Sequence, residues 1–303
     1  AKHTNKPAQQ EIYCGETNQA EGLPASRFGC TITLADKRKI ILDSSSSTGE
    51  IARQGSIVIL QPERGVIAYK GTDTISPGDT TSLYNIIQTT AGQQYQIKLM
   101  DGSTVRLNAS SAIKIPVRFK KSLSLLLTGE ALFDIVPDSG KLFYVRTQHA
   151  ELFMADANVN VKSYPGSNTV ATVISGKIII KSNTDSAKLS EGEQAIVYTL
   201  NNRKDYTLSV RKARTADVVS WKSQIRVYSD AYMREFVSDM GRWYHLKIVS
   251  LACVPANARI SISICYNASL ETVFQIFRDK GLVFKREGNN IRFCAPPVKV
   301  GRS

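Results

Sequence analysis

The chain has 303 residues, 42% of them apolar and 21% charged, the composition of one large or two medium folded domains with a sizeable core. No run reaches the roughly 18–20 consecutive apolar residues of a membrane-spanning helix, and no charged-then-apolar leader opens the chain. The formal net charge of +13 is uneven, with 16 basic and 7 acidic groups in residues 211–303 against 23 and 19 in residues 1–210. The basic residues are scattered and lack the interleaved stacking aromatics of a nucleic-acid surface, so they read as solvated faces or as a face for an acidic protein partner.

In chain order, residues 1–25 are rich in Gln, Glu, Asn and Pro and read as a polar tether. The start, Ala1-Lys2-His3 without Met, is that of a fragment or a processed product. Short strands are predicted at 32–34, 40–42, 57–60 and 66–69, then a loop of turn and hydroxyl residues over 71–83. The run from Gln96 to Pro116 is the clearest hairpin. Ile97 and Leu99 alternate with polar neighbours, Asp101-Gly102 supplies a two-residue turn of the I′ kind, and Val105, Leu107, Ile113 and Ile115 resume the alternation. A weaker copy, Thr31 to Ser46, lies 65 positions earlier in the same frame, so the chain carries a short two-copy repeat.

From 84 to 210 the period of two persists. It runs through Leu123, Leu125 and Leu127, then Ala131, Phe133 and Ile135 after Gly129, then Phe143 and Val145 after the turn Pro137-Asp138-Ser139-Gly140. Leu152, Met154, Val159, Val161, Ile178, Ile180, Ala195 and Val197 continue it, with turn signals at Tyr164-Pro165-Gly166, Ser175-Gly176 and Glu191-Gly192. This predicts an all-β rolled sheet or sandwich over 26–215.

The character changes near 216. Ser229-Asp230 can cap a helix with Tyr232, Met233, Phe236, Val237 and Met240 on one face, and Ser269 a second with Leu270, Val273, Phe274 and Phe277, ended by Lys280-Gly281. With strands at 225–228, 246–249, 260–264, 282–285 and 291–293, the order over 216–294 is β-α-β-β-α-β-β. This is a small α+β domain with two helices on one face of a small sheet, followed by a frayed tail over 295–303.

Reactive constellations are few. Cysteines at 14, 30, 253, 265 and 294 form no zinc spacing; buried free thiols, or bridges Cys14–Cys30 and Cys265–Cys294, are the open alternatives. His3, His149 and His245 read as tether, turn or strand-end residues. No nucleophile-elbow, phosphate-loop or metalloprotease motif is present. Glu130 and Asp134 share a strand face, but four strand positions span about 13 Å, beyond the roughly 5–9.5 Å of a glycosidase pair. The reading is non-enzymatic, with no cofactor and no metal. Trp221, Phe236 and Trp243 are core residues or exposed anchors for a partner, and Arg278, Lys280, Lys285 and Arg286 form the densest basic group. Trp243 and these four cations are the partner-binding candidates.

Five ordered motifs resemble the periplasmic region of FecR-type anti-sigma regulators. The L-x-DG-S/T-x-V-x-LNA pattern and its extension occur from Leu99 to Pro116, L-x-GEA-x-F from Leu127 to Ile135, EGKV as Ser175-Gly176-Lys177-Ile178, and GEQA as Gly192-Glu193-Gln194-Ala195. The last is the Trp221-Lys222 and Arg242-Trp243-Tyr244 pair, with Ser269 to Ile276 following. The G-T-x-F-N-V pattern departs as Asp156-Ala157-Asn158-Val159-Asn160-Val161, and the basic residues after the YP strand are rearranged as Val117-Arg118-Phe119-Lys120-Lys121. The resemblance implies a cytoplasmic segment holding an extracytoplasmic-function sigma factor and one inner-membrane helix, both absent here. It implies further that this periplasmic part senses the N-terminal signalling domain of an outer-membrane TonB-dependent transporter, and that the signal passes inward through regulated proteolysis. The C-terminal domain is similar to that signalling domain and to secretin-type short modules. Docking is expected on 216–294, at a sheet edge or helix face. Two other readings compete: a carbohydrate-binding or carbohydrate-active β-sandwich, and a structural assembly module.

Overall fold

The computed structural model describes residues 11–14, 27–71, 83–117, 122–137, 142–199, 206–223 and 225–294. The expected loop over 71–83, the turn Pro137–Gly140, the basic stretch after Val117 and the tail from Ala295 lie wholly or largely outside those residues. The chain divides into two compact units, residues 24–219 and residues 1–23 with 220–303.

Among its described residues the first unit consists of strands joined by turns and loops, with one single turn of helix, Thr215–Val218. Its strands form one connected hydrogen-bond network that resolves into two sheets. One sheet runs in space through Lys39–Leu42, Cys30–Thr33, Tyr84–Gln88, Ala112–Pro116, the first half of Ser122–Ile135, Leu142–Arg146, Glu151–Met154, the last part of Thr169–Lys181 and Ser186–Ser190. The other runs through Gly49–Gln54, Ile57–Glu63, Val66–Lys70, Tyr95–Lys98, Thr104–Leu107, the second half of Ser122–Ile135, Ala157–Ser163, the first part of Thr169–Lys181, Glu193–Thr199 and Tyr206–Lys212. Alternation sends every second side chain inward, and one hydrophobic cluster joins Leu123, Leu125 and Leu127 of the first sheet to Phe133, Val159 and Val161 of the second. Burying such a side chain is worth about 1.5–3 kcal/mol, so this shared layer is the main force closing the sandwich.

Two strands belong to both sheets. Pairing with Ala112–Pro116 ends at Thr128, and pairing with Ala157–Ser163 begins at Gly129. In the second shared strand, pairing with Ala157 ends at Gly176 and pairing with Ser186–Ser190 begins at Lys177. Gly129 (φ 105°) and Gly176 (φ 81°) are the corners. Ser175-Gly176, expected as a turn between strands, is therefore a kink inside one strand. A glycine at positive φ bends the chain sharply without ending its pairing.

The hairpin at Gln96 differs from expectation in a similar way. Leu99 N–H donates to Ser103 at 2.8 Å and Gly102 N–H to Leu99 at 3.1 Å, so the loop is Met100-Asp101-Gly102, three residues long, with Gly102 at φ 91°. That is a type I turn followed by a left-handed residue, which suits strand twist as well as a two-residue I′ turn does. Its repeat has the same build: Leu34 N–H donates to Arg38 at 2.9 Å, Lys37 N–H to Leu34 at 2.9 Å, and Lys37 takes φ 72°. Asp36 accepts from Arg38 N–H and Asp101 from Ser103 N–H, each at 3.0 Å.

In the second unit the elements from Ile225–Tyr232 to Asn290–Phe293 run β-α-β-β-α-β-β. The small sheet is two three-stranded sheets, Glu11–Tyr13, Arg259–Cys265, Ile225–Tyr232 and Lys247–Ser250, Asn290–Phe293, Phe284–Glu287. The first holds a strand from the expected tether: Glu11–Tyr13 pairs in parallel with Ile262 to Ile264. The helix Met233–Trp243 also lacks the expected cap, because the strand runs on to Tyr232, which stands at the N-cap without a side-chain bond. Ser269 does cap Leu270–Asp279, accepting from Thr272 N–H at 3.0 Å.

Candidate functional site

In the second unit the apolar stripes of the two helices enclose an aromatic core. Phe277 meets Phe236, Phe284 and Phe293 with ring centroids 5.5–6.0 Å apart, and Tyr228 meets Phe236 at 5.0 Å. Trp221 and Phe236 are fully buried, and Trp243, 6% exposed, packs edge-on against Tyr266 at 5.1 Å. Trp243 is therefore a core residue and not an exposed anchor. The 3.6-residue stripe that suggested it points inward, carrying Trp243 with Met233, Phe236 and Met240.

The charged core of this unit is Asp239, 1% exposed, on the buried side of its helix. Arg226 donates to its Oδ2 at 2.6 Å, Tyr228 Oη to the same oxygen at 3.1 Å, and Arg242 to its Oδ1. Burial, with the Asp239 charge adding to it, pushes the Tyr228 phenol well above its ordinary value, so it stays a donor.

The outward surface of the second sheet has a different character. Ile248, Ile291 and Phe293 point into the core, so the alternate residues Lys247, Val249 and Arg292 point out. Lys285 stands directly opposite Arg292 in the antiparallel register, and Lys247 opposite Asn290 in the parallel one. These residues, with Val249 and Glu287, line a shallow hollow of about 240 Å³. Like charges directly opposite are destabilising, and on this face Glu287, 2.8 Å from Lys285, is the one acid among the described lining residues beside three cations. Its hydrogen bond with Lys285, then the charges of Lys285 and Arg292, hold the Glu287 carboxyl below its usual range. A site of this kind presents positive charge around one exposed apolar residue, Val249, and favours an acidic segment carrying a small apolar side chain.

The first unit's buried polar cluster is built from motif residues. Glu130, 2% exposed, accepts from Asn108 Nδ2 at 2.8 Å and from Asn160 Nδ2 at 3.0 Å, and its own N–H donates to Ser111 Oγ at 2.9 Å. Asp134 is exposed, so the two acids of that strand do not converge. Among the described residues no group of three or more His, Cys, Asp or Glu is placed to hold a metal, and no helix is long and apolar enough to cross a membrane.

Residues 85–179, which carry both corner glycines and the Asn108–Glu130–Asn160 cluster, match the family model described as FecR protein. Over those residues the chain is similar to the FecR family. Two crystal structures of a candidate anti-sigma factor from Parabacteroides distasonis ATCC 8503 are similar to it at 27% identity and a TM-score of 0.61. They cover 70% of this chain and 98% and 99% of their own. No curated protein matches. The family is a regulatory one, and the likenesses support an anti-sigma role.

The four cations expected to act together are separated in the structure. Lys285 lies on the basic face, while Arg286, next in the strand, turns the other way, its guanidinium 5.4 Å from the Phe274 ring and its Nε donating to Gly288 at 2.9 Å. Arg278 bonds Glu271 and Gln275 on its own helix, and Lys280 stands 3.7 Å from Glu11. Lys247 and Arg292 were missed. Their outward direction is legible in Lys247-Ile248-Val249 and Ile291-Arg292-Phe293, but only strand register brings them to Lys285.

The cysteines also pair otherwise than expected. Cys14 joins Cys265 and Cys253 joins Cys294, with Cα atoms 4.7 and 5.4 Å apart, leaving Cys30 as a buried thiol whose burial pushes its pKa up. Cys14 follows the added strand and so lies beside Cys265 at the end of that strand's partner, a juxtaposition that sequence spacing does not carry.

Proposed function

We propose that this chain is the periplasmic sensor region of a membrane-anchored anti-sigma factor. It relays a signal from an outer-membrane TonB-dependent transporter to an extracytoplasmic-function sigma factor held by a segment outside this sequence. The observation that carries the reading is the FecR match over residues 85–179, with the anti-sigma likeness of the solved structures beside it. Two disulfides suit an oxidising compartment such as the periplasm. The transporter's N-terminal signalling domain docks on the basic sheet face around Lys247, Lys285 and Arg292, where an acidic partner segment relieves the opposed charges.

The test is binding of the purified full chain to the signalling domain of the transporter encoded beside it, by calorimetry at two salt concentrations. Charge reversal by Lys247→Glu with Arg292→Glu is expected to weaken binding at least tenfold and to flatten the salt dependence. Wild-type affinity in that variant, with an unchanged melting temperature, sinks the docking face. No binding by the wild-type chain sinks the relay.

A further inference from the structure

The strand Glu11–Tyr13 is held to the second unit by little besides its covalent bond. Three residues pair with Ile262, Ser263 and Ile264, Ile12 is 64% exposed, and an ion pair, Glu11 to Lys280 at 3.7 Å, is exposed. Tyr13 Oη donates to Glu11 at 2.6 Å, and that bond to the carboxylate raises the Tyr13 phenol to about 12. A solvent-facing ion pair is screened by water and holds little, and so short a strand adds little. What retains the strand is Cys14–Cys265, which separates 251 positions in sequence and encloses the whole first unit in a covalent ring. Cys14 is exposed and Cys265 half-buried.

We propose that Cys14–Cys265 is a thiol–disulfide exchange site that works as a latch on the start of the chain. While it is closed, a backbone cut anywhere in residues 15–219 leaves the residues before Cys14 attached to the second unit through sulfur. Separation by such a cut requires an external dithiol as well. One thiolate of the dithiol attacks the exposed Cys14 sulfur, and Cys265 departs as a thiolate and takes up a proton. The second thiol of the dithiol then displaces Cys14, leaving two protein thiols and one oxidised dithiol. The same opening frees the Ile262 to Ile264 edge. The use of such a latch in signalling rests on the relay proposed above. The latch itself is a property of this chain and is tested without any partner.

The experiment inserts a site-specific protease sequence after Gly166, in the exposed turn following Tyr164, and cuts the purified full chain. Denaturing gels without reductant are expected to show one joined species, and with a dithiol two fragments. In Cys14→Ser the two fragments separate without reductant. Fragments that separate without reductant from the chain with all five cysteines overturn the latch. Differential alkylation then follows opening in the uncut, native chain. Cys14 and Cys265 are expected to become modified at a rate proportional to dithiol concentration, with the first unit's thermal transition retained. Modification that occurs only in denaturant overturns the exchange role.

Discussion

Gly129 and Gly176 hold equivalent stations in two different strands, each being the residue at which a long strand leaves one sheet of the sandwich and enters the other. A Cβ on Gly129 would stand 2.7 Å from the Ser111 Cα, and one on Gly176 2.9 Å from the Ala157 Cα, in each case against backbone that cannot swing away. Both sit at positive φ, which adds about 1 kcal/mol or more for any residue with a side chain. Overpacking of this kind costs about 1–3 kcal/mol. Gly129→Ala and Gly176→Ala are each expected to lower unfolding free energy by about 2–4 kcal/mol in urea titration. A loss below about 0.5 kcal/mol in both would mean that the corners flex and do not fix the sandwich.

The two hairpins of the repeat differ where one carries Lys37 and the other Gly102 in the same left-handed position. Left-handed backbone costs a residue with a Cβ about 1–2 kcal/mol, while glycine loses more entropy on folding. Lys37→Gly is expected to raise stability by about 0.5–1 kcal/mol, seen as a higher melting temperature, whereas Gly102→Lys lowers it. A destabilised Lys37→Gly would show that the lysine side chain makes a contact worth more than its backbone strain.

Alternation of apolar residues made the sandwich legible, and two helical stripes made the second unit legible. The corners were not, because Leu123, Leu125, Leu127, Ala131, Phe133 and Ile135 keep one parity straight through Gly129. A glycine that ends a strand and one that bends it read alike in sequence. The basic face shows the same limit. Each of Lys247, Lys285 and Arg292 reads as outward-facing, but their approach depends on an antiparallel register between neighbouring strands and a parallel one between residues 42 or 43 positions apart. The strand at Glu11 was hidden because three residues in a polar stretch carry no period. Its stability comes from a bond to a cysteine in another part of the chain.

Asp239 tests how far the second unit depends on its buried charge. Its side chain is 2% exposed and those of Arg226 and Arg242 are 10% and 18% exposed, so removing the carboxylate leaves two guanidinium groups poorly solvated. Breaking one partner of such a cluster costs about 3–5 kcal/mol. Asp239→Ala is expected to lose about that much, and Asp239→Asn less, since the amide keeps an acceptor oxygen for one arginine. Intrinsic fluorescence of the buried Trp221 and Trp243 reports this unit's unfolding. Equal losses in the two variants would point to lost packing and not to charge.

His149 gives the sandwich a pH dependence of definite sign. It sits 9% exposed in the turn between Leu142–Arg146 and Glu151–Met154, and burial depresses its pKa below the ordinary 6.5. The unfolded chain therefore takes up a proton near pH 6.5 while the folded chain does not, so the unfolded state binds more protons as pH falls. The contribution is fully present above pH 6.5 and is lost downward from there to the lower folded value. The melting temperature is expected to fall between pH 7.5 and pH 5.5, and to fall less in His149→Gln, which cannot titrate. The same decrement in both proteins would show that His149 does not set it; carboxylates such as Glu193, whose pKa is depressed chiefly by the Ser190 N–H and then by Lys212, lose their contribution only at pH below this window.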